Sequence, residues 1–169
     1  MIAAGILTPS DRVELIEGEI ISMAAKNLPY AATNLWAADY LKQHLAGRAL
    51  VRIQDPIQLS QYSEPEPDIA VVAPNARKYI DHHPRPDEVL LLIEVADTSL
   101  QDDRTVKAPL YARAGILEYW ILDVNTRQVY VFREPGAEGY AQEMVLGEES
   151  TLSAIAFPDI PISLSQLFP

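Results

Sequence analysis

Residues 67–73, PDIAVVA, and residues 89–97, VLLLIEVAD, decide how this sequence folds. Each is a short apolar run, as expected for a strand at the centre of a sheet that is covered on both faces. Each also carries a carboxylate in a telling place, Asp68 at the start of the first run and Glu94 within the second, which Asp97 ends. A carboxylate in a buried strand is costly unless it is paired or binds a cation. The two runs therefore predict central strands whose acids need partners.

Two interpretations of these acids are open. Asp68 follows a proline, where an aspartate often caps a turn, and Glu94 could pair with an arginine. Alternatively, both lie at the ends of neighbouring strands and converge on one point. Converging carboxylates bind a hard divalent cation such as Mg²⁺ or Mn²⁺ through oxygen.

A lysine in the following helix is a third candidate. Lys107 lies in a helix predicted near residues 103–114, four residues before Tyr111, so the two side chains share a face. Asp102 and Asp103 precede it and suit a helix cap. A lysine facing a carboxylate–metal cluster can position a water nucleophile or stabilise a charged transition state. The alternative is a solvated surface lysine.

The remaining segments predict one α/β domain over residues 1–169, with a central mixed sheet flanked by helices and extra β-hairpins. A first helix is predicted over residues 29–45, and Pro109 interrupts or delays the second. Both tryptophans, Trp36 and Trp120, are predicted to lie in the core. The predicted strands and hairpins are 12–23 with a turn at Glu17-Gly18, 49–59 as one strand or as two separated by a break at Pro56, 68–73, 89–96, the hairpin of 118–124 and 128–133, and 140–146. Apolar residues between 157 and 168 are predicted to dock on the body, to cover a sheet edge or to bury a homodimer interface.

Composition narrows the function classes. The 169 residues include no cysteine, which excludes a disulfide framework, a thiolate zinc site and a cysteine nucleophile. No apolar run reaches the ~18 residues of a membrane span. The first residues lack a basic region and a long apolar stretch, so no signal peptide is expected. A cytoplasmic protein without membrane contacts is expected. The net charge of −11 argues against nucleic-acid binding through an extended, positively charged surface.

The charge is unevenly distributed along the chain. Residues 64–103 carry ten acidic and three basic side chains, whereas residues 104–134 carry five basic and three acidic ones. A metal site that acts on a phosphate needs an acidic pocket edged by basic residues, and Arg104 and Arg113 are the substrate-binding candidates. The alternative is that the acidic surface serves solubility.

Several strings, in this order, resemble the Uma2 family of endonucleases, also called DUF820, within the PD-(D/E)XK restriction-endonuclease-like superfamily. The resemblance runs from about Val13 to the C-terminus. The strings that carry it are ELIEGEII at 14–21, RIQDPIQL at 52–59, EPEPDIAVV at 64–72, LLLIEVADTS at 90–99, DRTVKAPLYARAGILEYWILD at 103–123 and SLSQLF at 163–168.

The resemblance assigns roles to single residues. Pro67-Asp68 matches the PD element and Glu94 the acidic residue of the (D/E)XK element, so both are implied metal ligands, with the carbonyl of Val95 as a third. The lysine of that element is expected at position 96, which is alanine here. Lys107 matches a lysine that the following helix supplies instead.

The family resemblance is weaker at three accessory positions than at the metal ligands and the lysine. Asp103 and Tyr111 match flanking polar positions that orient Lys107 or touch substrate, and Glu14 matches an early acidic position near the metal. Family members often carry a histidine at the start of the first long helix. Here the candidates are Tyr30, Ala31, Ala32 and Thr33, so this histidine is missing.

The implied activity is hydrolysis of a nucleic-acid phosphodiester, with DNA as the expected substrate. Asp68 and Glu94 would bind Mg²⁺ or Mn²⁺, and Lys107 would position the attacking water. Two alternatives are open. One is a catalytically silent binding or oligomerisation module that keeps the nuclease fold. The other is a metal phosphoesterase acting on small nucleotides or RNA, which a closed pocket rather than a long basic groove would favour.

Overall fold

The first regular element in the described part of the chain is a β-hairpin. The structure is a computed structural model that describes residues 5–8 and 10–169. Strand β1 (Val13–Ile16) pairs antiparallel with β2 (Glu19–Ser22). Glu17 and Gly18 connect them with φ values of 49° and 85°. Two positive φ values are typical of the type I′ turn, whose twist matches that of the strands. The predicted hairpin and its turn are confirmed.

Helix α1 (Leu28–His44) lies within one residue of its prediction. The side chain of Asn27 caps it by accepting a hydrogen bond from the backbone N–H of Tyr30, and Pro29 lies in its first turn, where no helical N–H is lost. Within the described residues, no helix combines the length and the apolar character needed to cross a bilayer.

The buried face of α1 differs from the predicted one. Trp36, predicted in the core, is 51% exposed, and Leu35 is 58% exposed. The buried residues are mostly small or polar: Thr33, Asn34, Ala37, Ala38 and Leu41. Small side chains let the helix axis approach the sheet closely, so the bulky residues face outward.

The central sheet has six strands: β3 (Leu50–Ile53), β4 (Ile69–Val72), β5 (Val89–Ala96), β6 (Glu118–Asp123), β7 (Gln128–Gly136) and β8 (Gly139–Gly147). They lie in this order across the sheet. The β5–β6 pair is parallel and the other four pairs are antiparallel. The predicted mixed α/β fold with a central mixed sheet is confirmed.

Strand β3 is shorter than predicted. It ends at Ile53, because Gln54 takes a left-handed conformation with a φ of 53°. Residues 54–59 therefore form a loop, and the predicted strand over 49–59 is wrong in its second half.

The second helical region crosses a π-helical turn. It consists of α2 (Leu100–Asp102), the π-helical turn Asp103–Lys107 and α3 (Ala108–Arg113). The N–H of Ala108 donates to the carbonyl of Asp103, five residues earlier. Pro109 follows directly and lacks an N–H, so it cannot continue an ordinary helical ladder across this turn. The helix therefore begins before residue 103, and the interruption predicted at Pro109 takes the form of a wider turn.

The sheet is covered on both faces. One face packs against α1 and the C-terminal segment, which includes Phe157, Leu164 and Phe168. The other face packs against α3 and the first hairpin. The short strands β9 (Thr151–Leu152) and β10 (Ile162–Ser163) pair with each other within the C-terminal segment. The predicted docking of this segment is confirmed.

A buried carboxylate fastens the C-terminal segment to the sheet. Glu118 is fully buried and accepts hydrogen bonds from the indole of Trp120 and from the guanidinium of Arg133, each at 2.9 Å. Its second oxygen accepts the backbone N–H of Ile155 at 2.7 Å. This network also makes Trp120 a core residue, as predicted.

Candidate active site

The two predicted metal ligands are neighbours. The antiparallel pairing of Ile69 with Ile93 brings Asp68, just before β4, beside Glu94 in β5. The backbone N–H of Asp68 donates to Glu94 Oε2 at 3.3 Å, and that of Val95 donates to Asp68 Oδ2 at 2.8 Å. The two acidic residues are 5% and 3% exposed. Strand pairing thus brings two carboxylates to one end of the sheet.

Lys107 and Tyr111 reach the same carboxylate from the helical region. Lys107 Nζ lies 3.0 Å from Glu94 Oε1, and the hydroxyl of Tyr111 donates to that oxygen at 2.9 Å. Lys107 Nζ also lies 3.6 Å from the carboxylate of Glu14 in β1. The structure therefore brings together five predicted site residues, whose catalytic roles stay predictions.

Negative charge dominates this cluster. Burial raises the pKa of Glu94 well above its usual value, and the charges of Asp68, Asp103 and Glu14 add to this, whereas Lys107 opposes it. For Lys107, burial alone would lower the pKa, but the carboxylates around it, Glu94 first, raise the pKa above its usual value. Lys107 therefore stays protonated, and the carboxylates of Glu94, Glu14 and Asp103 share its positive charge.

Tyr30 and Gln54 belong to the site, although the sequence did not identify them as functional. The hydroxyl of Tyr30 donates to Asp68 Oδ1. The amide of Gln54 donates to the Tyr30 oxygen at 2.7 Å, and its carbonyl accepts from Lys26. Burial, followed by the charge of Asp68, raises the pKa of Tyr30. One signal was available, because Tyr30 is at the helix start where the family often has a histidine.

Asp103 is buried on the rim of the cluster. Its Oδ2 accepts a hydrogen bond from Ser99 at 2.7 Å, and its backbone carbonyl accepts from Tyr119 at 3.3 Å. Burial raises the pKa of Asp103 from 3.8 to about 6, although Lys107 and the hydroxyl of Ser99 act in the opposite direction. Asp103 adds a titratable group close to Lys107.

This shift predicts a pH-dependent stability difference between the wild type and Asp103→Asn. The folded state holds the proton of Asp103 up to a higher pH than the unfolded state. The wild type should therefore lose stability relative to the variant as the pH rises from about 4 to about 6, by on the order of 3 kcal/mol. Urea unfolding of both proteins in metal-free buffer measures the difference. If the free energies of unfolding of the two proteins differed by the same amount across this pH range, the raised pKa of Asp103 would be contradicted.

The cluster opens into a cleft with a volume of about 330 Å³. Its walls come from the first hairpin, the start of α1, the end of β5 and the π-helical turn; the lining includes Arg12, Met23, Tyr30, Asp97, Asp102 and Val106. The predicted substrate-binding residues Arg104 and Arg113 do not line this cleft. Each forms a salt bridge elsewhere, at 2.7 Å, with Glu143 and Glu17 respectively.

The donors available to a divalent cation are few. Among residues 5–8 and 10–169, no group of three or more acidic or histidine side chains is arranged to hold a metal ion. Asp68 and Glu94 offer two carboxylates. Because the N–H of Val95 points to Asp68, its carbonyl faces the same edge of β5. Two buried carboxylates and one carbonyl are oxygen donors of the kind that a hard cation such as Mg²⁺ prefers.

Comparisons with known proteins agree with this fold. A solved structure described as "a putative nuclease belonging to DUF820" from Anabaena variabilis ATCC 29413 superposes with a TM-score of 0.75 at 16% sequence identity, over 98% of this chain and 94% of that one. At this identity the likeness shows a common fold. No curated protein matches the chain. The family Uma2, described as "Putative restriction endonuclease", matches residues 4–165. This chain belongs to the Uma2 family.

Proposed function

We propose that this protein is a metal-dependent endonuclease that hydrolyses phosphodiester bonds of nucleic acid, with DNA as the expected substrate. One observation carries the proposal: Asp68 and Glu94 lie side by side, buried, with the ammonium of Lys107 at 3.0 Å from Glu94. Paired carboxylates can hold a metal ion that activates water and offsets charge on a phosphate, and a neighbouring ammonium can stabilise the charge that develops in the transition state. Family membership supports the reaction class.

Asp68, Glu94 and the carbonyl of Val95 would hold the metal ion. When bound, the ion would lower the pKa of a water molecule and offset charge on the phosphate oxygens. The protein keeps these donors in position before the ion arrives. The N–H of Val95 fixes Asp68 Oδ2, and the N–H of Asp68 lies 3.3 Å from Glu94 Oε2.

Lys107 acts as a hydrogen-bond donor and a cation in this proposal, and not as a general base. The surrounding carboxylates raise its pKa, so its ammonium stays charged at neutral pH. A charged ammonium can orient the attacking water and stabilise negative charge on the transition state. Tyr111, which donates to the same oxygen of Glu94, holds that carboxylate against the lysine.

The direct test is cleavage of supercoiled plasmid, linear duplex DNA, single-stranded DNA and RNA in Mg²⁺ or Mn²⁺. Activity should disappear in EDTA and in a folded Glu94→Gln variant. The ranking of the four substrates then identifies the preferred one. A well-folded wild type that cleaves none of them with either metal would refute the proposal.

A second candidate is a catalytically silent binding or oligomerisation module, whose partner is another protein such as a second copy of the chain. Two observations favour it. All four carboxylate oxygens of Asp68 and Glu94 already accept hydrogen bonds from protein groups, and the cleft carries more acidic than basic side chains. Calorimetry with Mn²⁺ separates the two: heat of binding that Asp68→Asn abolishes supports the enzyme, and no heat in the wild type supports the module.

Tyr30→Phe should weaken binding of the metal ion. Losing the hydroxyl removes a donor that orients Asp68, and such supporting contacts contribute about 10-fold to 100-fold in metal affinity. Mn²⁺ titration calorimetry measures the change, and cleavage rates should fall in parallel. Tyr62→Phe is the matched control, because Tyr62 is exposed and does not line the cleft. Equal affinities in wild type and Tyr30→Phe would remove Tyr30 from the site.

A further inference from the structure

Most cations near the site are already neutralised by partners in the protein. Lys107 is engaged by Glu94 and Glu14. Arg104 and Arg113 form salt bridges and do not line the cleft. A polyanionic substrate entering the cleft therefore needs other cations.

Arg12 is the first such cation. It lines the cleft and its side chain is exposed. Its guanidinium makes a long contact, 3.4 Å, with the backbone carbonyl of Ala24. Within the described part of the chain, it has no salt bridge to a carboxylate. Its remaining N–H donors are free to bind a phosphate, which suits the planar geometry of a guanidinium.

Lys26 is the second cation. It lies between the cleft-lining residues Ala25 and Asn27, and its ammonium donates to the side-chain carbonyl of Gln54. That neutral acceptor occupies one of three N–H donors. No carboxylate in the described residues forms a salt bridge with the ammonium, and the charges of Asp68 and Glu66 act on it only from farther away. Because the amide of Gln54 contacts both Tyr30 and Asp68, the ammonium is held close to the proposed metal ligands.

The two cations are also close enough to repel each other. Burial, and then the charge of Arg12, lowers the pKa of Lys26, and the charges of Asp68 and Glu66 oppose this. Like charges held together at the mouth of a cleft, without a salt bridge between either and a carboxylate in the described residues, are stabilised when an anion binds between them. This electrostatic arrangement is opposite in sign to the acidic floor of the same cleft.

We propose that Arg12 and Lys26 bind a backbone phosphate of the nucleic-acid strand in the cleft, adjacent to the phosphate that reacts at Asp68 and Glu94. The inference rests on the proposed function and specifies how that site holds its substrate. It assigns substrate binding to the first hairpin and the segment before α1, and not to Arg104 and Arg113. With few phosphate contacts, binding should depend only modestly on salt.

The test measures binding of a fluorescein-labelled DNA oligonucleotide by anisotropy over a series of salt concentrations, with Ca²⁺ as the divalent ion. Arg12→Gln and Lys26→Met should each weaken binding by about tenfold at ~0.1 M salt and reduce the slope of log K against log salt by about 0.7 to 0.9. Arg104→Gln and Arg113→Gln are the matched controls and should change neither value. Circular dichroism verifies that all four variants are folded.

The outcomes separate this inference from the proposed function. If the wild type cleaves and binds DNA but Arg12→Gln and Lys26→Met bind with unchanged affinity and slope, the inference alone is wrong. Loss of binding in Arg104→Gln or Arg113→Gln instead would likewise overturn it. A wild type that neither binds nor cleaves nucleic acid overturns the proposed function, and this inference with it.

Discussion

Replacing Glu94 with glutamine is expected to reduce nucleic-acid cleavage by about a thousandfold or more, the scale of losing a key charge that stabilises the transition state. The change keeps the size of a side chain that is 3% exposed, so the core should stay packed. It removes one of two carboxylates that would bind the metal ion and the counter-charge that holds Lys107. Single-turnover cleavage and Mn²⁺ calorimetry on the same protein measure both losses.

Lys107→Met should separate cleavage from metal binding, which Glu94→Gln should not. It should lose most of the cleavage rate but bind Mn²⁺ at least as tightly as the wild type, because a competing positive charge leaves the carboxylates. Glu94→Gln should lose both properties. If Lys107→Met instead lost Mn²⁺ binding and kept its cleavage rate, the roles that we assign to Lys107 and Glu94 would be wrong.

Replacing Glu118 with glutamine is expected to destabilise the fold by about 3–5 kcal/mol, as when one partner of a buried ion pair is removed. Glu118 is fully buried, and Arg133 would keep its charge at a distance of 2.7 Å from a neutral amide. The N–H groups of Trp120 and Ile155 would lose a charged acceptor. Urea unfolding measures the difference in free energy.

Glu143→Gln is the control for this loss. The change removes the salt bridge between Glu143 and Arg104, and both of these side chains are more than a third exposed. Exposed pairs contribute about 0–1 kcal/mol, so the free energy of unfolding should hardly change. Comparable losses in the two variants would mean that the buried network around Glu118 has no special importance for stability.

Local signals predicted most of the fold. The turn at Glu17-Gly18 and the helix start at Pro29 depend on neighbouring residues, so short windows of sequence identify them. The apolar run from Val89 to Ala96 is nearly continuous because both faces of β5 are covered, and such a run predicts a central strand.

The orientation of α1 was not predictable in the same way. Apolar residues at Leu35 and Trp36 suggested a buried face, but both side chains point outward. The sheet selects the face with Ala37 and Ala38 because small residues permit close packing. Hydrophobicity along the sequence does not reveal how close a helix and a sheet must come.

The site was predictable where a charge interrupts an apolar strand, as at Asp68 and Glu94. It was not predictable at Tyr30 and Gln54, because their contacts depend on where the start of α1 meets the end of β3. Glu118 was missed for a similar reason. It opens a strand, where a charged residue usually reaches solvent, and the C-terminal segment covers it.

The π-helical turn gives the chain a sensitivity to its length that no substitution reveals. Asp103–Lys107 contains one more residue than an ordinary helical turn would need to join α2 to α3. Deleting one of residues 104–106 would let an ordinary helical turn join α2 to α3, and Asp103 and Lys107 would then lie three residues apart instead of four. The carbonyl of Asp103 would lose the N–H five residues later as its partner, and the contact that Tyr119 makes with that carbonyl would have to form again in a narrower turn. The length of this turn, and not only the charged side chains around it, therefore determines where Asp103 lies.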